Sequence, residues 1–177
     1  MKRILVIVLM VAVALSSAGC RPRLDPNVEI VFVVDIVWVY NEYARTGDPG
    51  LDAIIYIPNQ TMFAYPGQQY LTLLDVRLRE TPLGIERMHT MIDDRIQFNS
   101  VTVRDGTAYV DMVGEGLSGS SLEEGLLISQ IVSALTGSFD EVERVRFLVD
   151  GESAETLMGH IDIETPFYEG LYPIGPQ

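Results

Sequence analysis

The sequence predicts an α+β fold: a single domain in which a mixed, mostly antiparallel sheet packs against two main helices. Three observations support this class. Runs of β-branched and aromatic residues indicate strands, and an Asp-Gly pair between alternating segments indicates a hairpin. Two further segments repeat apolar residues every three to four positions, which indicates helices.

The amino terminus is typical of a secretory leader. Lys2 and Arg3 precede an apolar run from Ile4 to Leu15, and small residues follow it up to Gly19. A helix of this length rises only about 18 Å, too short for a hydrocarbon core of about 30 Å. We therefore predict a signal peptide over residues 1–19 that is removed, and no permanent transmembrane helix there.

The only cysteine, Cys20, follows this leader directly. Ser17-Ala18-Gly19-Cys20 resembles the lipobox of bacterial lipoproteins, in which the thiol becomes acylated, although Ser17 stands where Leu, Val or Ile is preferred. An ordinary secretory leader beside an incidental thiol is the alternative. The expected partner of an acylated Cys20 is the lipid bilayer. Residues 20–27 then form a short tether, and Arg21 favours the outer membrane in a host with two membranes.

Removal of residues 1–19 leaves 158 residues, a common size for one domain. We assign residues 28–170 to that domain and residues 171–177 to a C-terminal tail. The mature part holds 10 basic and 25 acidic residues, a formal charge of about −15. This charge opposes nucleic acid, and we expect no nucleic-acid partner.

The first half of the domain predicts two paired strands and a helix. Val28 to Tyr40 reads as one long strand, or two strands bent at Asp35, deep in a sheet. Ala53 to Ile57 is a second strand that Pro58 should end, and we expect antiparallel pairing. Gln68 to Glu80 has the apolar spacing of an amphipathic helix.

The clearest local signal is a hairpin over Asn99 to Met112. Asp105 and Gly106 are favoured in a two-residue type I′ turn, where both positions need positive φ. Folding at this turn pairs Arg104 with Thr107, Val103 with Ala108, Thr102 with Tyr109 and Val101 with Val110. One face is then apolar and the other mostly polar, as a half-buried sheet requires.

The second half predicts the main helix and two more strands. Overlapping S-x-x-E capping boxes begin a helix at Ser120 that Gly137 should end. Arg144 to Val149 alternates as a strand, and Asp150-Gly151 follows as another structural turn. A short strand is expected within Gly159 to Phe167.

These motifs, in this order, resemble the GerMN domain of sporulation and spore germination proteins of the GerM type. The matching segments are "DGTAYVD" from Asp105, "IVSALTGSF" from Ile131, "VRFLVDG" from Val145 and "GHID" from Gly159. The resemblance implies an extracytoplasmic, often lipid-anchored α+β module similar to the ring-building motifs of envelope assemblies. It implies work through contacts with an envelope protein partner that the sequence does not identify.

Candidate catalytic and metal-binding residues are few, and we expect no catalytic residue, metal site or cofactor. His89 and His160 have no metal-ligand spacing. His160 and Asp162 would share one side of a strand, where they could orient a base or hold a metal. A structural histidine at a strand start is the favoured interpretation.

Serines and paired acids also have structural interpretations. Ser118, Ser120 and Ser121 lack a G-x-S-x-G nucleophile elbow, and helix capping accounts for the last two. Asp93-Asp94 and Glu123-Glu124 are neighbours in sequence and so point apart, which predicts solvated faces.

The leading hypothesis is therefore a non-enzymatic, lipid-anchored interaction module, in sporulation, germination or envelope assembly. The alternative is a binding module for cell-wall glycan or peptide, and an enzyme ranks third. An exposed apolar patch or strand edge would favour protein docking. A concave pocket lined by Trp38 or several tyrosines would favour a ligand.

Overall fold

The computed structural model describes residues 25–80 and 86–172. Its elements are β1 (Ile30–Tyr40), α1 (Asn41–Thr46), β2 (Ile54–Ala64), α2 (Gln69–Thr72) continuing as a π-helix (Leu73–Arg77), β3 (Met88–His89), β4 (Phe98–Arg104), β5 (Thr107–Met112), α3 (Ser121–Ser138) and β6 (Arg144–Val149). Within the described ranges the strands form two three-stranded sheets around α3. The α+β class predicted from the sequence is confirmed, although its strands are divided between two sheets.

The first sheet has the strand order β2-β1-β3, and β1 and β2 are antiparallel as predicted. β1 is one continuous strand with a bulge at Asp35, where the register shifts between Val34 and Ile36. Asp35 accepts hydrogen bonds from the Tyr56 hydroxyl at 2.5 Å and from the Asn59 N–H at 2.9 Å. The acid therefore fixes the bulge instead of dividing the strand.

The prediction that Pro58 ends the second strand is wrong, because β2 continues to Ala64. β2 lies at the edge of its sheet, where a missing N–H costs no ladder hydrogen bond. Pro58 also sits opposite the bulge, between the Ile57 and Gln60 pairings, and Asn59 has a φ of 59°. The bulge thus absorbs the residue that would otherwise break the ladder.

The second sheet has the order β4-β5-β6. Its β4–β5 hairpin confirms the predicted register, with Arg104 opposite Thr107 and Val101 opposite Val110. β6 pairs parallel to β5. A parallel pair needs a crossover, and α3 supplies it.

Helix α3 begins as predicted, because Ser120 and Glu123 form a capping box. Its residues from Glu124 to Leu135 are all buried, so the helix is covered on every side. Gly137 does not end it, because α3 continues through Ser138. A Cβ at Gly137 would collide with the Tyr56 hydroxyl, so this glycine permits close packing against β2.

The predicted amphipathic helix is shorter and partly π-helical, ending where the Leu78 N–H bonds the Leu73 carbonyl. Of the three leucines whose spacing predicted the helix, Leu74 and Leu78 are buried and Leu71 is half-buried. Leu73, outside that spacing, is buried as well. The predicted stop at Pro82 lies outside the described residues.

The strand expected within Gly159 to Phe167 is absent from the described residues, which form bends there and a single bridge between Val145 and Phe167. Side chains of α3 bind this segment in place of a strand ladder. The Leu171 N–H, for example, donates to Ser129 Oγ at 2.9 Å. Residues 157–172 therefore form a strap on α3, which Glu124 binds at Leu157 and Ser129 binds at Leu171.

Candidate functional site

His160 and Asp162 do not form a catalytic or metal-binding pair. His160 Nε2 lies 3.0 Å from the Gly119 carbonyl oxygen, whereas Asp162 Oδ1 accepts the Glu164 N–H at 2.8 Å. Because the backbone here is bent, the strand geometry that would align the two side chains is missing. His160 joins the strap to the loop before α3.

The serines lie at the start of α3. Ser120 Oγ accepts the Glu123 N–H at 3.3 Å, and Glu123 Oε2 accepts the Ser120 N–H at 2.7 Å. These bonds hold the pKa of Glu123 below its usual value. Ser121 is the first helical residue, and the Ser118 carbonyl accepts a hydrogen bond from Arg95 at 3.4 Å.

Asp93 and Asp94 do not act as a pair either. Asp93 forms an ion pair of 2.8 Å with Arg95 and also accepts the Arg95 N–H at 2.9 Å. Burial raises the pKa of Asp93, but the hydrogen bonds and charge of Arg95 outweigh burial and hold the pKa below its usual value. Asp94 is exposed.

The prediction that Glu124 lies on a solvated face is wrong, because its side chain is fully buried. Its carboxylate accepts the N–H groups of Leu157, Met158 and His160, each at 2.9 Å. Three backbone donors replace the water that an ionised carboxylate needs. The burial of Glu124 could have been predicted from α3 itself, because a helix with apolar residues on several faces is buried on all sides.

The residues assigned to structural turns have left-handed backbones. Asp105 and Gly106 have φ values of 49° and 73°, and Asp150 and Gly151 have values of 52° and 83°. The Gly151 N–H also donates to Asp111 Oδ1 at 2.8 Å, which ties the second turn to β5.

The described residues hold no group of three or more His, Cys, Asp or Glu side chains placed to bind a metal. Cys20, the predicted lipidation site, lies outside the described ranges. No helix in residues 25–80 and 86–172 is long and apolar enough to cross a membrane.

Trp38 lines no concave pocket, because only 3% of it is exposed. One open cavity of about 300 Å³ lies between α3 and the strap, and its lining includes Tyr56, Ser133, Thr136 and Tyr168. A second cavity of about 390 Å³, lined by Tyr40 among others, lies at the C-terminal end of β1. Neither is enclosed.

Exposed apolar side chains cluster where β1 begins and β2 ends, at the end of this strand pair opposite its connecting segment. We call this cluster the hairpin tip. Its members are Val28, Val31, Val33, Phe63 and Tyr65, and their exposed fractions run from 40% to 60%. Val31 and Phe63 face each other across the two strands. Clusters of exposed apolar side chains are typical of contact sites.

The free edge of β2 is the second exposed feature. Within the described residues β2 has a hydrogen-bonded neighbour on one side only, and its eleven residues carry no charge. Charged side chains are the usual protection of an edge, and here only Pro58 and the bulge beside it interrupt the described strand. The β6 edge differs, because Arg144 and Arg146 lie on it and Phe167 bridges it.

Fold and surface together define an α+β module whose exposed features are a strand edge and an apolar tip. The chain belongs to the Germane family, described as sporulation and spore germination, whose family model matches residues 55–155.

Two solved structures share the fold. One is the "Putative Lipoprotein from Clostridium perfringens", with a TM-score of 0.51 and 16% identity, covering 80% of this chain and 87% of that one. The other holds the tandem GerMN domains of the sporulation protein GerM from Bacillus subtilis, with a TM-score of 0.52 and 14% identity over 81% of this chain. This chain spans 46% of that structure's length. A search of the curated proteins finds no match.

Proposed function

We propose that this protein is a lipid-anchored, extracytoplasmic module that docks a protein partner in sporulation, spore germination or envelope assembly. Membership of the Germane family supports a role in sporulation or spore germination. The leader and Cys20 support the anchor, because acyl chains on the first mature residue would hold the domain at a membrane.

The observation that carries the docking role is the uncharged edge of β2. An extended segment of a partner can add to such an edge through main-chain hydrogen bonds, and side chains flanking the edge then select the sequence. Thr61 and Phe63 flank it on the exposed face. The partner is therefore a protein with an extended strand, not a helix-in-groove ligand.

The absence of catalysis belongs to the same proposal. The candidate groups Glu124, Asp93 and Ser120 are all engaged in hydrogen bonds that hold loops around the start of α3. A nucleophile needs an activating base within hydrogen-bond reach, and Ser120 Oγ instead accepts the Glu123 backbone N–H.

The docking role can be tested by crosslinking in the native membrane, with a photoreactive residue at position 61. Capture of a channel, ring or wall-synthesis component supports the proposal. With the probe kept at position 61, Gln60→Lys on the same strand should abolish that capture, because lysine protects an edge strand from pairing. Thr102→Lys, an exposed position on the edge strand of the other sheet, is the matched control and should leave capture unchanged.

A second function is favoured by the cavity beside α3, where Tyr56 and Tyr168 meet polar side chains. Aromatic and hydroxyl groups together suit a wall glycan or peptide. Calorimetric binding of muropeptide fragments, lost in Tyr168→Ala, would support this ligand role. If the probe at position 61 captured a sugar or peptide and no protein, the ligand role would replace the docking proposal.

A further inference from the structure

The two halves of β1 are equally apolar in sequence but differ in burial. Ile36 to Val39 are buried on both faces of the sheet. In the preceding half, Phe32 and Val34 pack inward, whereas Val31 and Val33 are 57% and 60% exposed. Continuous apolar strands are typical of sheets covered on both faces. The outer face of the hairpin tip therefore lacks a cover within the described residues.

We propose that the hairpin tip rests on the lipid bilayer to which the chain is anchored. This inference rests on the proposed anchor at Cys20. Val28 follows Cys20 by eight residues, so a fully extended tether holds the tip within about 29 Å of the lipidated residue. The described residues begin at Asp25, three residues before Val28 of the tip. The bilayer is thus the nearest apolar phase to the exposed face.

The side chains of the tip suit a membrane interface. Val31, Val33 and Phe63 would contact the acyl boundary, and Tyr65 is of the type that concentrates at headgroup level. The outward positions of this part of the two strands, from Val31 to Val33 and from Thr61 to Tyr65, carry no charge. No charged side chain within these spans has to lose its hydration, and the exposed Glu29 marks where the contact ends.

Charge near the tip indicates an apolar contact with no net attraction to anionic lipid. Arg21 and Arg23 in the tether are matched by Asp25 and Glu29. A second copy of the chain is disfavoured as the cover, because each mature chain carries a formal charge of about −15. The bilayer contact should therefore form on neutral vesicles and gain nothing from anionic lipid, which the same negative charge repels.

The experiment uses the full acylated protein in phosphatidylcholine vesicles. Acylation blocks the only native thiol, so a cysteine placed at position 63 can be labelled alone with a polarity-sensitive fluorophore. We expect Phe63→Cys to show blue-shifted emission that spin-labelled lipids quench, and Val33→Cys to behave likewise. The shift should be no larger on vesicles containing phosphatidylglycerol.

Tyr168→Cys is the matched control. Tyr168 is 64% exposed, close to the 60% of Phe63, but it lines the cavity that Tyr56 also lines. Tyr56 precedes Phe63 by seven residues of β2, about 23 Å along the strand. A probe at position 168 should therefore remain in water, with neither shift nor quenching.

Flotation of the vesicles separates this inference from the proposed anchor. Protein that floats while the probe at position 63 stays in water overturns the bilayer contact and leaves the anchor standing. Protein that does not float overturns the anchor itself. A shift that disappears as protein is diluted at constant lipid identifies a second copy as the cover and overturns the inference.

Discussion

Glu124 shows, at the scale of one residue, how the C-terminal strap is attached. An ionised carboxylate is costly to bury unless its oxygens accept strong hydrogen bonds, and Glu124 accepts three backbone N–H groups. The same bonds satisfy donors in a segment that has no sheet partner over most of its length. One side chain thus performs the task that a strand ladder was expected to perform.

We predict that Glu124→Ala lowers the free energy of unfolding by about 3 kcal/mol or more, because three N–H groups lose their acceptor at about 1 kcal/mol or more each. Urea unfolding of the mature chain measures this loss. Glu123→Ala, which removes half of the capping box, is the control and should cost about 1 kcal/mol. Equal losses for the two variants would contradict the role assigned to Glu124.

Asp93 should make the free energy of unfolding vary with pH in the acidic range. Its folded-state pKa is lowered, so its ion pair with Arg95 contributes fully above the unfolded-state pKa of about 4. The contribution is lost as pH falls through the lower folded-state pKa. Unfolding midpoints of the native chain and Asp93→Asn should therefore differ at pH 6 and converge below about pH 3.

The exposed neighbour Asp94 supplies the control for this pH series. Asp94→Asn should follow the native chain at every pH. A constant difference between the native chain and Asp93→Asn, down to the most acidic point, would remove the ion pair from the explanation.

Most side chains would be strained at position 106, because its φ is 73° and an added Cβ would approach the Glu143 carboxyl carbon to 2.9 Å. Gly106→Val should destabilise the chain by about 1–2 kcal/mol, since a β-branched residue is disfavoured at positive φ. Thermal unfolding measures the effect. Gly106→Asn, which tolerates this backbone, should lose less, and an unchanged midpoint for valine would refute the turn assignment.

At the scale of elements, α3 carries small residues at every fourth position along one face: Gly125, Ser129, Ser133 and Gly137. An added Cβ at Gly125 would lie 2.8 Å from the Tyr172 ring. Ser129 accepts N–H groups from the strap, and Gly137 meets Tyr56. The stripe therefore gives the strap and β2 room to approach the helix closely.

A double-mutant cycle tests this packing. Gly137→Ala should destabilise the chain, because the new methyl group displaces the Tyr56 hydroxyl from its hydrogen bond with Asp35. In a Tyr56→Phe background the hydroxyl is absent, so the same alanine should cost less. Additive losses in chemical unfolding would show that Gly137 and Tyr56 do not interact.

Elements that depend on neighbouring residues were predictable from the sequence, and elements that depend on distant contacts were not. The hairpin register follows from the Asp105-Gly106 turn and alternation alone. The length of β2 depends on a bulge that Asp35 fixes from another strand. The strap depends on Glu124, which lies 33 residues before Leu157.

The candidate surfaces were predictable only in part. The apolar run of β1 indicated a strand deep in a sheet, which holds for Ile36 to Val39. Periodicity cannot say whether a second layer covers the other half, because that depends on where the helices pack. The free edge of β2 likewise follows from strand order, which is a property of the whole fold.

At the scale of the whole molecule, the proposals place the apolar hairpin tip on the bilayer. They leave the adjoining edge of β2 free to pair with a partner beside it. A partner anchored in the same membrane would then meet this edge at a raised effective concentration. Because the tether is short, a contact made near the membrane plane would be favoured over one made far from it. The arrangement depends on lipidation at Cys20.

Lipidation predicts how the protein divides between detergent and water. The chain produced with its own leader should enter the detergent phase, and its N-terminal peptide should carry the mass of a diacylglyceryl group on Cys20. A matched chain with Cys20→Ala behind a leader that is cleaved without lipidation should enter the aqueous phase, because the remaining tip is too small an apolar surface to hold it in detergent. Detergent partitioning of both chains would show that the fold itself, and not Cys20, binds the membrane. Aqueous partitioning of both would instead support the ordinary secretory leader.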